Sequence, residues 1–110
     1  MPEFQRAIRK SDIPEGGAAT VEIAGCEIAI FHLRGGIYAL ENRCLHQGGP
    51  LAEGTIEGSE VICPWHAWRY NIKTGRNDFD PGIKVRSFPV KVERGEIYVG
   101  IDPGEGGDVG

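Results

Sequence analysis

Cys44-Leu45-His46-Gln47-Gly48-Gly49-Pro50-Leu51 and Cys63-Pro64-Trp65-His66-Ala67-Trp68-Arg69-Tyr70 decide how this chain reads. Each stretch opens on a cysteine and places a histidine two or three residues on. Sixteen residues separate His46 from Cys63. Each stretch therefore supplies one thiolate and one imidazole. A two-iron, two-sulfide cluster with two Cys on one iron and two His on the other needs that donor set. Two equivalent loops satisfy it when they approach each other with the cluster between them. On this reading Cys44 and Cys63 hold the inner iron, and His46 and His66 hold the outer iron near solvent. Replacing two thiolates by neutral imidazoles removes two negative charges and raises the reduction potential. The competing reading is structural zinc, which two Cys and two His also suit. Zinc motifs usually open on a Cys pair and close on a His pair, whereas here each element mixes the two. The iron–sulfur reading is therefore preferred.

The rest of the chain surrounds these loops with short strands. The 110 residues suggest one domain. Seventeen Gly and seven Pro favour many turns and few helices. Apolar segments alternate with turn signals, which points to an all-β sandwich or barrel. Strands are expected over 4–8, 20–24, 27–33, 37–41, 85–93 and 96–101. The turns fall at Gly25-Cys26, Arg34-Gly35-Gly36 and Arg94-Gly95. Ile97, Val99 and Ile101 share one face, as alternation requires. Three further strands, 55–57, 60–62 and 69–72, lie between the outer ones, with Lys73-Thr74-Gly75 as a closing turn. The expected organisation is a single domain over 1–103, with a cluster-binding insertion over about 42–82 and a flexible, Gly-rich acidic tail over 104–110.

Twelve Lys and Arg against sixteen Asp and Glu give a net charge of −4. No basic stripe appears, so nucleic acid is not an expected partner. No stretch approaches the ~20 apolar residues of a membrane span, and the expected location is the cytoplasm. With Cys44 and Cys63 on metal, Cys26 is left over. That fits a reducing compartment better than a disulfide scaffold. Cys26 is read as a structural thiol, and His32 as a surface or half-buried strand residue. Glu53, Glu57 and Glu60 are read as a solvated face. Gln47-Gly48-Gly49 and Ala67 allow close backbone approach to sulfur. Trp65 and Trp68 either pack over the insertion or form an apolar rim for docking.

The two stretches together resemble the signature of Rieske iron–sulfur proteins, and most of all the small soluble Rieske-type ferredoxins. The resemblance covers roughly Phe4 to Ile101. It implies a Rieske-type antiparallel β sandwich with an inserted cluster-binding subdomain, and one [2Fe-2S] cluster per chain on Cys44, His46, Cys63 and His66. It also implies a third, proline-containing loop shielding the cluster, for which Asp80-Pro81-Gly82 is the counterpart. The implied role is a one-electron carrier between a flavin-dependent reductase and the terminal oxygenase of an aromatic-ring dioxygenase system. Such a carrier is not itself an enzyme. Two alternatives are a small accessory subunit of a nitrite-reductase-like complex and a zinc-stapled interaction module without redox function.

Departures from the family pattern bear on the potential. Members of cytochrome bc complexes carry an extra Cys in each loop; Gly49 and Trp65 fall in those loops here, with no candidate pair. High-potential members place a Ser two residues after the second His, where this chain has Trp68. Tyr70 keeps the place of a Tyr that bonds a cysteine sulfur, and Ala67 replaces the usual Gly. Losing the Ser donor leaves the reduced, more negative cluster less stabilised. The midpoint potential is expected toward the low end of the roughly −150 to +300 mV Rieske range; a redox titration above the middle of that range overturns this reading.

Overall fold

The computed structural model describes residues 3–43, 49–65, 68–77, 80 and 82–101. Within them the strands are β1 (Glu3–Arg9), β2 (Gly17–Ile23), β3 (Cys26–Leu33), β4 (Gly36–Glu41), β5 (Thr55–Glu57), β6 (Glu60–Ile62), β7 (Arg69–Asn71), β8 (Ser87–Phe88), β9 (Val90–Glu93) and β10 (Glu96–Ile101). They form three antiparallel sheets: β1-β10-β9, β2-β3-β4-β8 and β5-β6-β7. Single 3-10 turns at Lys10–Asp12 and Leu51–Glu53 complete the elements. This is the expected all-β sandwich with an inserted small sheet. No helix among the described residues is long and apolar enough to cross a membrane. The expected tail, 104–110, lies outside the described residues.

β3 organises the stack. Successive strand residues point to opposite faces, and β3 is buried on both. Ile28 and Ile30 face a core shared with Ile97, Val99 and Ile101 of β10. Ala29, Phe31 and Leu33 face a second core shared with Val61, Tyr70 and Ile72 of the inserted region. The β2-β3-β4-β8 sheet is therefore the middle layer, with the terminal strands on one side and the inserted sheet on the other. Leu40 and Ala39 of β4 divide between the same two cores.

Turn chemistry sets the hairpin registers. Ala24 and Gly25 have φ of 53° and 80°, and Arg94 and Gly95 have 54° and 79°. Positive φ at both central residues is the two-residue turn whose twist matches its strands. The β2–β3 turn thus falls one residue earlier than the sequence suggested, and Cys26 opens β3 opposite Ile23.

The expected strand over 85–93 is two strands. Ser87–Phe88 pairs with β4 in the middle sheet, whereas Val90–Glu93 pairs with β10 in the outer sheet. Pro89 lies between them and has no N–H to give a ladder. Its carbonyl still accepts from the Gly100 N–H at 2.8 Å. The chain changes sheets where a donor is missing. Val92 is exposed near the end of the edge strand β9.

Phe31 is fully buried where the middle sheet meets the inserted one. Phe31→Ala is expected to cost about 3–5 kcal/mol of unfolding free energy, measured by guanidinium denaturation; a loss well under that refutes the anchoring role of this contact.

Candidate metal centre

Cys63 follows β6, and its N–H donates to the Trp68 carbonyl at 2.8 Å. This bond and the Ile62–Arg69 pairing close the base of the β6–β7 hairpin. The loop it defines, 63–68, carries the second Cys/His element. Cys63 is 3% exposed and belongs to the inner core with Tyr70. A buried sulfur beside a fully buried aromatic is shielded from water. Cys44, His46 and His66, the other expected ligands, lie outside the described residues, as do Gln47, Gly48, Ala67 and Pro81.

The segments flanking the first element are drawn against the second. A Cβ on Gly49 would sit 3.0 Å from Cys63 Sγ and 3.1 Å from Trp65 Cγ. A Cβ on Gly54 would meet the Ile62 carbonyl oxygen at 2.1 Å. Gly54 must be glycine, because a side chain there would collide with the Ile62 backbone, and at Gly49 a side chain would crowd the Cys63 sulfur and the Trp65 ring. The chain following the first Cys/His element therefore lies directly on the chain that carries the second. This closeness and the soft, buried thiol fit a group held between two loops.

Around these loops, Asn side chains accept from backbone N–H groups. Asn77 is 3% exposed, and its Oδ1 accepts from the Asp80 N–H at 3.1 Å. Asp80 in turn accepts from the Gly82 N–H at 3.0 Å, and the Asn77 N–H donates to the Ile83 carbonyl at 2.8 Å. The expected third loop is thus pinned at its described ends. Asn71 Oδ1 accepts from the Lys73 and Thr74 N–H groups and forms the turn expected there.

The two tryptophans differ in burial. Trp68 is half-buried and packs on the inner core. Trp65 is 59% exposed, with its ring lying over Gly49. On the inserted sheet, Arg69 Nη1 donates to Glu57 at 2.9 Å and to Glu60 at 3.3 Å. Chiefly the hydrogen bond to Glu57 raises the Arg69 pKa above its ordinary value, so this cation stays protonated at any physiological pH. Glu57 and Glu60 are therefore paired rather than simply solvated. His32 and Cys26 lie elsewhere. The half-buried His32 donates from Nδ1 to the Ile13 carbonyl at 2.8 Å, and Cys26 packs against the outer core. The role of the inserted-sheet carboxylates was not visible in the sequence, because Arg69 meets Glu57 and Glu60 across twelve and nine residues.

With this arrangement in view, the comparisons with known proteins agree. The Rieske [2Fe-2S] domain model matches residues 3–89, and the chain belongs to that family. Its cofactor is a Rieske-type [2Fe-2S] cluster. The chain is 36% identical over 92 residues to the ferredoxin component of the naphthalene 1,2-dioxygenase/salicylate 5-hydroxylase systems of Ralstonia sp, covering 83% of this chain and 88% of that one. Among solved structures, it is similar to a protein in the complex of reduced oxygenase and oxidized ferredoxin of carbazole 1,9a-dioxygenase. The TM-score is 0.80 at 30% identity, over 88% of this chain and 92% of that one. It is also similar to the ferredoxin of carbazole 1,9a-dioxygenase from Nocardioides aromaticivorans IC177. There the TM-score is 0.83 at 25% identity, over 90% of this chain and 98% of that one.

Gly49 offers a direct test of the loop contact. Gly49→Ala forces a methyl against Cys63 Sγ and the Trp65 ring, an overpacking that costs about 1–3 kcal/mol. Iron and acid-labile sulfide per chain are expected to fall, with a lower melting temperature; full loading and unchanged melting contradict the close approach.

Proposed function

We propose that this chain is a freestanding one-electron carrier that takes electrons from a flavin-dependent reductase and delivers them to a terminal oxygenase in the cytoplasm. The observation that carries this reading is the junction of the two loop regions at Gly49, Cys63 and Trp65. It places the one described ligand candidate in a shielded core and an exposed indole beside it. Likeness to dioxygenase ferredoxin components over most of both chains supports the oxygenase as acceptor.

Cys44, His46, Cys63 and His66 are the proposed ligands, with the cysteines toward the core and the histidines toward solvent. When bound, the cluster supplies reversible one-electron chemistry at a potential raised by imidazole ligation. The chain's own part is to exclude water from the cysteine side, through Tyr70 and the inner core. It also leaves an edge where a partner can approach. The two imidazoles are the groups that would take up protons on reduction, since added negative charge raises a neighbouring pKa. Trp65 presents an apolar, rigid surface of the kind that anchors protein–protein contacts. The likeness at 36% identity to ferredoxin components favours a carrier over an accessory subunit of a nitrite-reductase-like complex. It equally favours iron over zinc.

Electron paramagnetic resonance of the dithionite-reduced protein tests both cluster and ligands. A rhombic signal with average g below that of all-Cys two-iron ferredoxins is expected, and His66→Ala should abolish it. Zinc without acid-labile sulfide removes the carrier reading. An unchanged spectrum in His66→Ala refutes that ligand.

A further inference from the structure

We infer that Asn42 is a positioning residue for the cluster, holding the entry and the exit of the first ligand loop through one buried side chain. Asn42 immediately follows β4 and is 4% exposed. It precedes Cys44 by two residues. Its Oδ1 accepts from the Ala52 N–H at 2.7 Å, on the far side of the loop. Its Nδ2 donates to Glu27 Oε1 at 3.1 Å and, more weakly, to Thr20 Oγ1 at 3.4 Å. Its backbone N–H donates to the Glu27 carbonyl at 3.0 Å. One amide therefore ties β2, β3, the end of β4 and the 3-10 turn at Leu51–Glu53 together. The ties are made at Asn42 and Ala52, which flank the proposed ligands Cys44 and His46 in the chain.

The chemistry allows one orientation only. The Ala52 N–H needs an acceptor and the Glu27 carboxylate needs a donor, so the carbonyl and amino ends of Asn42 cannot be exchanged. Asp in its place keeps the acceptor but sets a second carboxylate against Glu27. Leu or Ala leaves the Ala52 N–H without this acceptor. A buried amide that only satisfied itself could use partners on one segment. This one joins segments on either side of the proposed ligands Cys44 and His46. Asn77, the other buried polar residue among the described residues, accepts locally, from the Asp80 N–H three residues on.

The inference rests on the reading that Cys44 and His46 are ligands. It is tested on holoprotein by iron release to a chelator, the reduced-state resonance spectrum and the midpoint potential. Asn42→Asp is expected to release iron at least about tenfold faster, a factor within reach of one lost buried hydrogen bond, with shifted g values and potential. Adding Glu27→Gln to Asn42→Asp restores a donor opposite the new carboxylate and should recover the wild-type spectrum and rate. A lower melting temperature with unchanged release, spectrum and potential would make Asn42 merely structural and overturn the inference. Where Asn42→Asp yields no folded holoprotein, Glu27→Ala decides. It removes one acceptor and leaves the Ala52 bond, and faster release with a shifted spectrum supports the inference, while wild-type values overturn it. Wild-type protein without a two-iron cluster overturns the ligand reading beneath it instead.

Discussion

Everything at the metal centre depends on the burial of β3 from both sides. A strand with one wet face can shift by two residues and lose little. Here Ile28 and Ile30 are locked against β10, and Phe31 and Leu33 against the inserted region. A slip of one residue would exchange the two sets between cores of different shape. The middle sheet is thereby fixed in register, and the inserted sheet gains a rigid floor. A redox site needs such a floor, because ligand positions set the strain and hydrogen bonding of the metal and so its potential.

Loops that carry ligands cannot be stabilised by ladders of their own. The fold answers with contacts of two kinds. Glycines remove side-chain volume where the chain packs closely, as Gly54 does against the Ile62 backbone and Gly49 against the Cys63 and Trp65 side chains. Buried amides then satisfy the backbone groups that the loops leave over, as Asn42 does for Ala52 and Asn77 for Asp80. A buried amide is costly unless both of its ends are bonded. The same cost makes it specific, since a shifted loop leaves the amide unsatisfied. Asn42 belongs to the sandwich and to the ligand loop at once, and this couples the scaffold to the site.

The exposed surface beside the site is divided between apolar and charged groups. Trp65 is open to solvent, while Trp68, three residues on, closes the core beneath. On the hairpin behind them, Arg69 is engaged by Glu57 and Glu60. These exposed pairs add little to stability, but they neutralise part of the acidic surface of a chain whose net charge is −4. Among the described residues near Cys63, Trp65 is the exposed aromatic ring.

In the sequence, the proposed donor set could be read directly, because two Cys/His elements at these spacings suit few metal groups. The sequence by itself also determined most strands and the hairpin at Arg94-Gly95, because alternation and turn residues are local signals. The inserted strands at Thr55–Glu57 and Glu60–Ile62 were legible to the residue. Pro89 was visible too, yet the apolar alternation around it suggested one strand where the structure has two in different sheets. Tertiary structure alone decided that sheet change, the double burial of β3 and the different exposures of Trp65 and Trp68. It alone decided the bonds of Asn42 as well, whose side-chain partners lie ten, fifteen and twenty-two residues away. Pattern and propensity report a residue's neighbours along the chain. Which buried amide meets which distant backbone group is fixed only when the sheets have stacked.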